Sequence, residues 1–175
     1  MRRLFLVTLV FLLLTSCAPV LNRDFMSSGI YNIPPSGILE DPASFSGKLF
    51  IMGGVIVDTK VTADGSLIEA IFVPVNALGY LKDIAVLDGR FLALYPKGKG
   101  LLDPLIFHME REITVAGEFK GTRSGRIDEM EYTYPLFEIK DIYLWEERMD
   151  YYIAPPFYPL WDYPGMYYGP WWRYY

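Results

Sequence analysis

Sulfur chemistry is available at one position only. Cys17 is the single cysteine of the chain, so it cannot form an internal disulfide. It stands directly behind Leu14, Thr15 and Ser16, and behind a leader made of Arg2, Arg3 and the apolar run from Leu4 to Leu14. A positive start, an apolar run and small residues before the cut are what a signal peptidase recognises. The run would rise only about 16 Å as a helix, roughly half of a hydrocarbon core, so a spanning helix is disfavoured. A cysteine left at the cleavage point becomes the first residue of the mature chain.

The other reactive side chains are poorly supplied with partners. His108 is the only histidine and lies near Glu110 and Glu112. A metal centre or a serine triad needs more nitrogen or thiolate ligands than one histidine and one cysteine supply. His108 is therefore expected to be a partly buried or surface side chain. Gly98-Lys99-Gly100 lacks the glycine spacing and the Lys-Ser/Thr pair of a phosphate loop. Asp58, Asp64, Glu69, Asp83, Asp88 and Asp103 could offer the two carboxylates that a glycosidase requires. Nearly all fall in predicted turns or helix starts, where aspartate caps local backbone. Glu69 alternates with Ile68 within a strand and is expected to face solvent. No pair stands out, and no enzyme, metal or cofactor is expected.

The leader resembles the lipobox of a bacterial lipoprotein, Leu14, Thr15 and Ser16 being the peptidase recognition residues and Cys17 the lipidation site. The membrane would then be a partner through lipidated Cys17. Each buried methylene contributes about 0.8 kcal/mol, and two or more chains hold a protein on a bilayer stably. Ala18, not aspartate, follows the cysteine. By similarity to the sorting convention of enteric bacteria, this implies the outer membrane. Net charge is -5, and losing Arg2 and Arg3 makes the mature chain more acidic. With no basic block it lacks the footprint of a nucleic-acid binder and of a polybasic lipid contact.

The elements that must carry these residues are mainly strands. Residues 17–38, with Ser27-Ser28-Gly29 and Pro34-Pro35-Ser36-Gly37, read as a lipidated linker that would span roughly 25 Å if flexible. Asp41-Pro42-Ala43-Ser44-Phe45 reads as one helical turn ended by Gly47. Lys48 to Val61 is a strand whose Gly53-Gly54 pair suggests a bulge or bend. Asp64-Gly65 turns it into a strand from Leu67 to Val75. Asn76 to Gly89 is a looser connection, Arg90 to Tyr95 a third strand, and Leu105 to Met109 a short helix started by Asp103-Pro104. Glu112 to Lys120 is the fourth strand, Gly121 to Gly125 a turn, and Met130 to Trp145 the fifth strand, with Pro135 at a bend or edge. Five strands with a short helix between the third and fourth give the element order of an OB-like barrel. A five-stranded meander or a small sandwich would read nearly the same. The organisation is thus a signal peptide over residues 1–16, a linker over 17–38, a β-barrel domain over 39–147 and a tail over 148–175.

Pro42-x-x-Phe45-x-Gly47-Lys48, Gly53-Gly54-Val55-Ile56, Asp88-Gly89-Arg90-Phe91, Leu102-Asp103-Pro104 and Val115-Ala116-Gly117 follow one another in the order seen in the Slp family of outer-membrane lipoproteins. The resemblance runs from about Leu39 to Trp145 and includes the lipobox. It implies an envelope protein, associated in enteric members with starvation or stationary phase, and it supplies no catalytic residues to carry over.

The tail is compositionally separate. Between Tyr151 and Tyr175, twelve of twenty-five residues are aromatic and five are proline, a spacing that sustains neither helix nor strand. Tyr151, Tyr152, Tyr158, Trp161, Tyr163, Tyr167, Tyr168, Trp171 and Trp172 are its candidate interaction residues. Such rings suit a bilayer interface, an envelope glycan such as peptidoglycan or lipopolysaccharide, another envelope protein, or an edge of the chain's own barrel. The expected function is a non-catalytic structural or interaction role in the cell envelope. A glycan-binding module is the alternative, and a hydrolase of envelope polymers is a third reading.

Overall fold

The alternation of apolar and polar side chains beyond Lys48 is realised as five long strands that close on themselves. The structure, a computed structural model, describes residues 18–82 and 88–147. Cys17, the Leu14–Ser16 stretch, Asp83 and the aromatic tail lie outside these residues. The strands are β2 (Leu49–Val61), β3 (Gly65–Val73), β4 (Arg90–Pro96), β5 (Glu112–Ile127) and β6 (Met130–Leu144). β2 pairs antiparallel with β3, β3 with β4, and β5 with β6. A parallel contact of β4 with β6 and an antiparallel one of β5 with β2 complete the ring. This five-stranded closed barrel has the Greek-key connectivity expected of an OB-like fold. A sixth, two-residue strand, β1 (Ile30–Tyr31), adds to β2 in parallel.

The interior is aromatic. Phe50, Phe91, Phe119 and Phe137 are all fully buried. Phe137 meets Phe50 at 5.5 Å, Phe91 at 5.9 Å and Phe119 at 5.5 Å between ring centroids, in edge-on or tilted arrangements. Ring quadrupoles favour these geometries over a sandwich. Ile56, Ile68, Ile113 and Ile139 fill the remaining space. The Gly53-Gly54 pair does not break β2, and its register shift falls between Ile56 and Asp58. The glycines instead permit close approach: a Cβ on Gly53 would lie 2.2 Å from Leu81 Cδ2, and one on Gly54 2.9 Å from Ala70 Cβ. Here β2 pairs with β3 and β5 at once, so both sides are crowded.

Several sequence expectations are corrected. Residues 18–38 do not form a plain linker, because they carry α1 (Arg23–Ser28), β1 and the start of α2 (Pro35–Glu40). Asn22 caps α1 by accepting from Asp24 N–H at 2.8 Å. Leu21 and Met26 are buried against Ile51, Val75 and Ala116, and Asn32 clips the backbone of Val75 with bonds of 2.7 and 2.9 Å. These apolar positions sit in elements too short to show a period. The helical turn expected at Asp41 is present as α3 (Pro42–Phe45), without a side-chain cap from Asp41. Leu105 to Met109 is a turn, not a helix. The Asp103 side chain accepts from Leu105 N–H, its carbonyl accepts from Ile106 and Phe107, and Glu110 at φ 73° prevents continuation. The short helix of this connection is instead a 3-10 turn at Lys97–Lys99. Gly121 to Gly125 does not turn either: β5 continues through it, bulging between Phe119 and Gly121. The hairpin closes at Asp128-Glu129, where Asp128 takes φ 52°, a conformation that aspartate tolerates.

Candidate functional site

The start of the described chain, the Asn76–Lys82 turn, the β4–β5 loop and the end of β6 come together at one end of the barrel. Val20 N–H donates to Leu78 O at 2.9 Å. Asn76 Oδ1 accepts from Leu78 and Tyr80 N–H, which fixes the turn that presents Tyr80. Tyr143 and Trp145 lie two residues apart, a spacing that places strand side chains on one face. Their rings are 4.9 Å apart, and Tyr80 meets Trp145 at 5.3 Å. Trp145 is held by its own indole N–H, which donates to Thr114 Oγ1 at 3.0 Å, while Thr114 donates to Gly79 O at 2.8 Å. Tyr80, Leu81, Glu112, Tyr143, Trp145 and Glu146 line an open cleft of about 460 Å³.

Glu112 and Glu146 also border a second cleft, of about 370 Å³, with His108, Glu110, Arg111 and Glu147. His108 is exposed, with Nδ1 2.7 Å from Met109 O and Nε2 3.0 Å from Glu147. Arg111 ties the two clefts together by donating to Trp145 O at 2.7 Å and to Ile106 O at 3.4 Å. Among the described residues, no group of three or more His, Cys, Asp or Glu side chains is placed to hold a metal ion.

The predicted carboxylates are scattered, and Glu69 is not where alternation placed it. Glu69 does not simply face solvent: it bonds Arg90 Nη1 at 2.7 Å and accepts from Tyr134 O–H at 3.2 Å. Asp58 lies within β2, paired with Lys60 at 2.7 Å. Asp88 accepts from Ser36 Oγ at 3.1 Å. Burial, followed by the Glu69 charge and hydrogen bond, pushes the Tyr134 hydroxyl up to about 12.

Neither residue type nor spacing singles out Glu118 and Glu138, which are directly opposed across β5 and β6. Like charges so placed repel. Lys140 answers both, at 2.7 and 2.6 Å, and Lys120 lies 2.6 and 3.7 Å away. Hydrogen bonds from Lys120 and Lys140 hold the Glu118 carboxyl below its ordinary range, and one from Lys140 does the same for Glu138. A general acid needs the opposite shift.

The aromatic group at the barrel end escaped the sequence reading because Tyr80 is distant in sequence from Tyr143 and Trp145. The period-two spacing of Tyr143 and Trp145 was the available signal. Leu14 to Cys17 and the candidate tail residues lie outside the described residues.

A model of the outer membrane lipoprotein Slp family matches residues 14–174, beginning within the lipobox and ending in the aromatic tail. A Haemophilus influenzae protein named only as uncharacterized is 34% identical over 99 residues, covering 56% of this chain and 52% of its own length. The match thus spans about half of that curated relative. Among solved structures, a mitochondrial single-stranded DNA-binding protein of S. cerevisiae aligns over 58% of this chain and 98% of its own, at 11% identity and a TM-score of 0.32. Similarity at that level carries neither fold nor binding across. No helix among the described residues is long and apolar enough to cross a membrane.

Proposed function

Since the chain belongs to the Slp family of outer-membrane lipoproteins, we propose that Cys17 bears its lipid anchor and that the barrel has a non-catalytic structural or interaction role in the envelope. The family fixes the location, which is the outer membrane. The observation that carries the finer reading is the start of the match at residue 14, the first residue of Leu14-Thr15-Ser16-Cys17, so one family model covers this stretch and the barrel together. The non-catalytic part rests on the side chains. The one closely opposed carboxylate pair described above, Glu118 and Glu138, is neutralised by two lysines and held ionised. The lone histidine is engaged by Met109 O and Glu147.

Metabolic palmitate labelling followed by membrane fractionation tests the anchor. The wild type should label and sediment with outer membranes, whereas Cys17→Ala should neither label nor mature. An unlabelled wild type, or a Cys17→Ala form that fractionates identically, would overturn it.

A further inference from the structure

We propose that the barrel end carrying Tyr80, Tyr143, Trp145 and the β4–β5 loop is a bilayer-docking surface, pressed onto the membrane by the lipid on Cys17. The inference rests on the anchor reading and on the position from which the anchor must emerge. Residues 18–38 are folded onto the barrel, and Val20 is bonded to Leu78, two residues from Tyr80. Only three residue steps separate Cys17 from Val20. Fully extended, they reach about 11 Å, so the acylated residue stays beside this end of the molecule. A flexible linker would have let the barrel turn any face to the membrane, and the folded segment removes that freedom.

What lies next to the anchor point suits a bilayer. Leu105 is 85% exposed, Met109 61% and Ile106 53%, all on the loop leading into β5. Large aliphatic side chains grouped at this exposure are unusual on a soluble surface and mark a place that meets lipid or protein. Arg111 joins the loop to the ring cluster through Ile106 O and Trp145 O. Tyrosine and tryptophan, with an apolar ring and a polar tip, are the residues enriched at the headgroup level. Aliphatic loop and aromatic group therefore adjoin in the arrangement that a shallow membrane contact requires.

The charges decide how the contact forms. Glu110, Glu112, Glu146 and Glu147 line the clefts between loop and rings, against Arg111 and His108. This acidic rim gives no electrostatic attraction to an anionic membrane, so the patch would not capture a bilayer from solution. The tether changes that by making the encounter intramolecular, at a high effective concentration. The rings meet at 4.9 and 5.3 Å between centroids, so Tyr80, Trp145 and Tyr143 form one continuous aromatic group.

Acylated Cys17 offers no free thiol, so an environment-sensitive fluorophore can be attached to single introduced cysteines in the full lipidated protein. Leu105→Cys and Met109→Cys report on the proposed surface, and Met130→Cys, at the exposed tip of the β5–β6 hairpin, is the control. In phosphatidylethanolamine and phosphatidylglycerol vesicles, labels at 105 and 109 should shift to the blue. They should be quenched several-fold more than the control by spin-labelled lipid. Adding Leu105→Asp should return the 109 label to aqueous behaviour while the protein still floats with vesicles.

A 105 label as water-exposed as the control, on protein that floats, would overturn the docking surface and leave the anchor intact. A label shielded from water but untouched by spin-labelled lipid would also overturn it, in favour of a glycan, a second copy or the chain's own tail as occupant. Loss of flotation in the wild type would overturn the anchor reading and this surface with it.

Discussion

Replacing Tyr134 by phenylalanine should make the barrel less sensitive to alkali, even though it removes a hydrogen bond. The Tyr134 hydroxyl donates to Glu69, which also binds Arg90, and ionising it would place a phenolate beside a carboxylate in a buried position. Its pKa is accordingly raised from 10.0 to about 12. A group whose folded pKa lies above the unfolded one stabilises the fold fully below the unfolded value, and this contribution is lost as pH rises through the folded value. The sensitive window is therefore pH 10 to about 12. Between about pH 8 and about pH 11.5 the linkage removes about 2 kcal/mol from the wild type. Tyr134→Phe loses about 1 kcal/mol at pH 8, the net worth of one hydrogen bond, but escapes the later decline. The two should therefore become comparable, or cross, near the upper end. Urea unfolding at a series of pH values gives the difference directly and cancels the other tyrosines and lysines. Parallel stability curves for the two proteins across this window would refute the reasoning.

The remaining predictions concern packing and charge. Phe137→Ala, which removes a ring touching Phe50, Phe91 and Phe119, should cost about 3–5 kcal/mol, read as a lower urea midpoint at unchanged m-value. Gly53→Ala should cost about 1–3 kcal/mol by overpacking, because its Cβ would meet Leu81 and the Val73 carbonyl. Gly98→Ala, with nothing within 4 Å, should be close to neutral in the same assay. The lowered Glu118 and Glu138 carboxyls stabilise the fold above their ordinary range and lose that contribution as pH falls through their depressed values. Wild-type stability should thus drop below about pH 4.5. Lys140→Met, which leaves two opposed carboxylates with Lys120 alone, should flatten that acid limb while lowering stability at neutral pH by about 1 kcal/mol.

The barrel was largely legible in the sequence because its strands are long, alternate cleanly and are separated by glycine, proline and Asp-Gly signals. β2, β3, β4 and β6 fall close to where periodicity put them, while β5 runs on from Lys120 to Ile127. Chain closure could not be read, since the parallel contact of Leu92–Leu94 with Leu136–Glu138 joins segments by packing and not by a local signal. The Gly121–Gly125 stretch misled because glycine serves a bulge as readily as a turn. Residues 18–38 misled for a different reason. Their order comes from tertiary contacts of Leu21, Met26 and Asn32, and no element there is long enough to show amphipathic spacing. The reading of Leu14-Thr15-Ser16-Cys17 as a lipidation signal falls outside the described residues. The ring cluster was not legible, because Tyr80 reaches Trp145 only through the fold.

The central claim is that the mature protein begins at an acylated Cys17. Mass spectrometry of the amino-terminal peptide from outer-membrane preparations tests it most directly. The account predicts a peptide that starts at Cys17 and carries acyl mass on both sulfur and amino group. An intact leader, or a free thiol at residue 17, would contradict it.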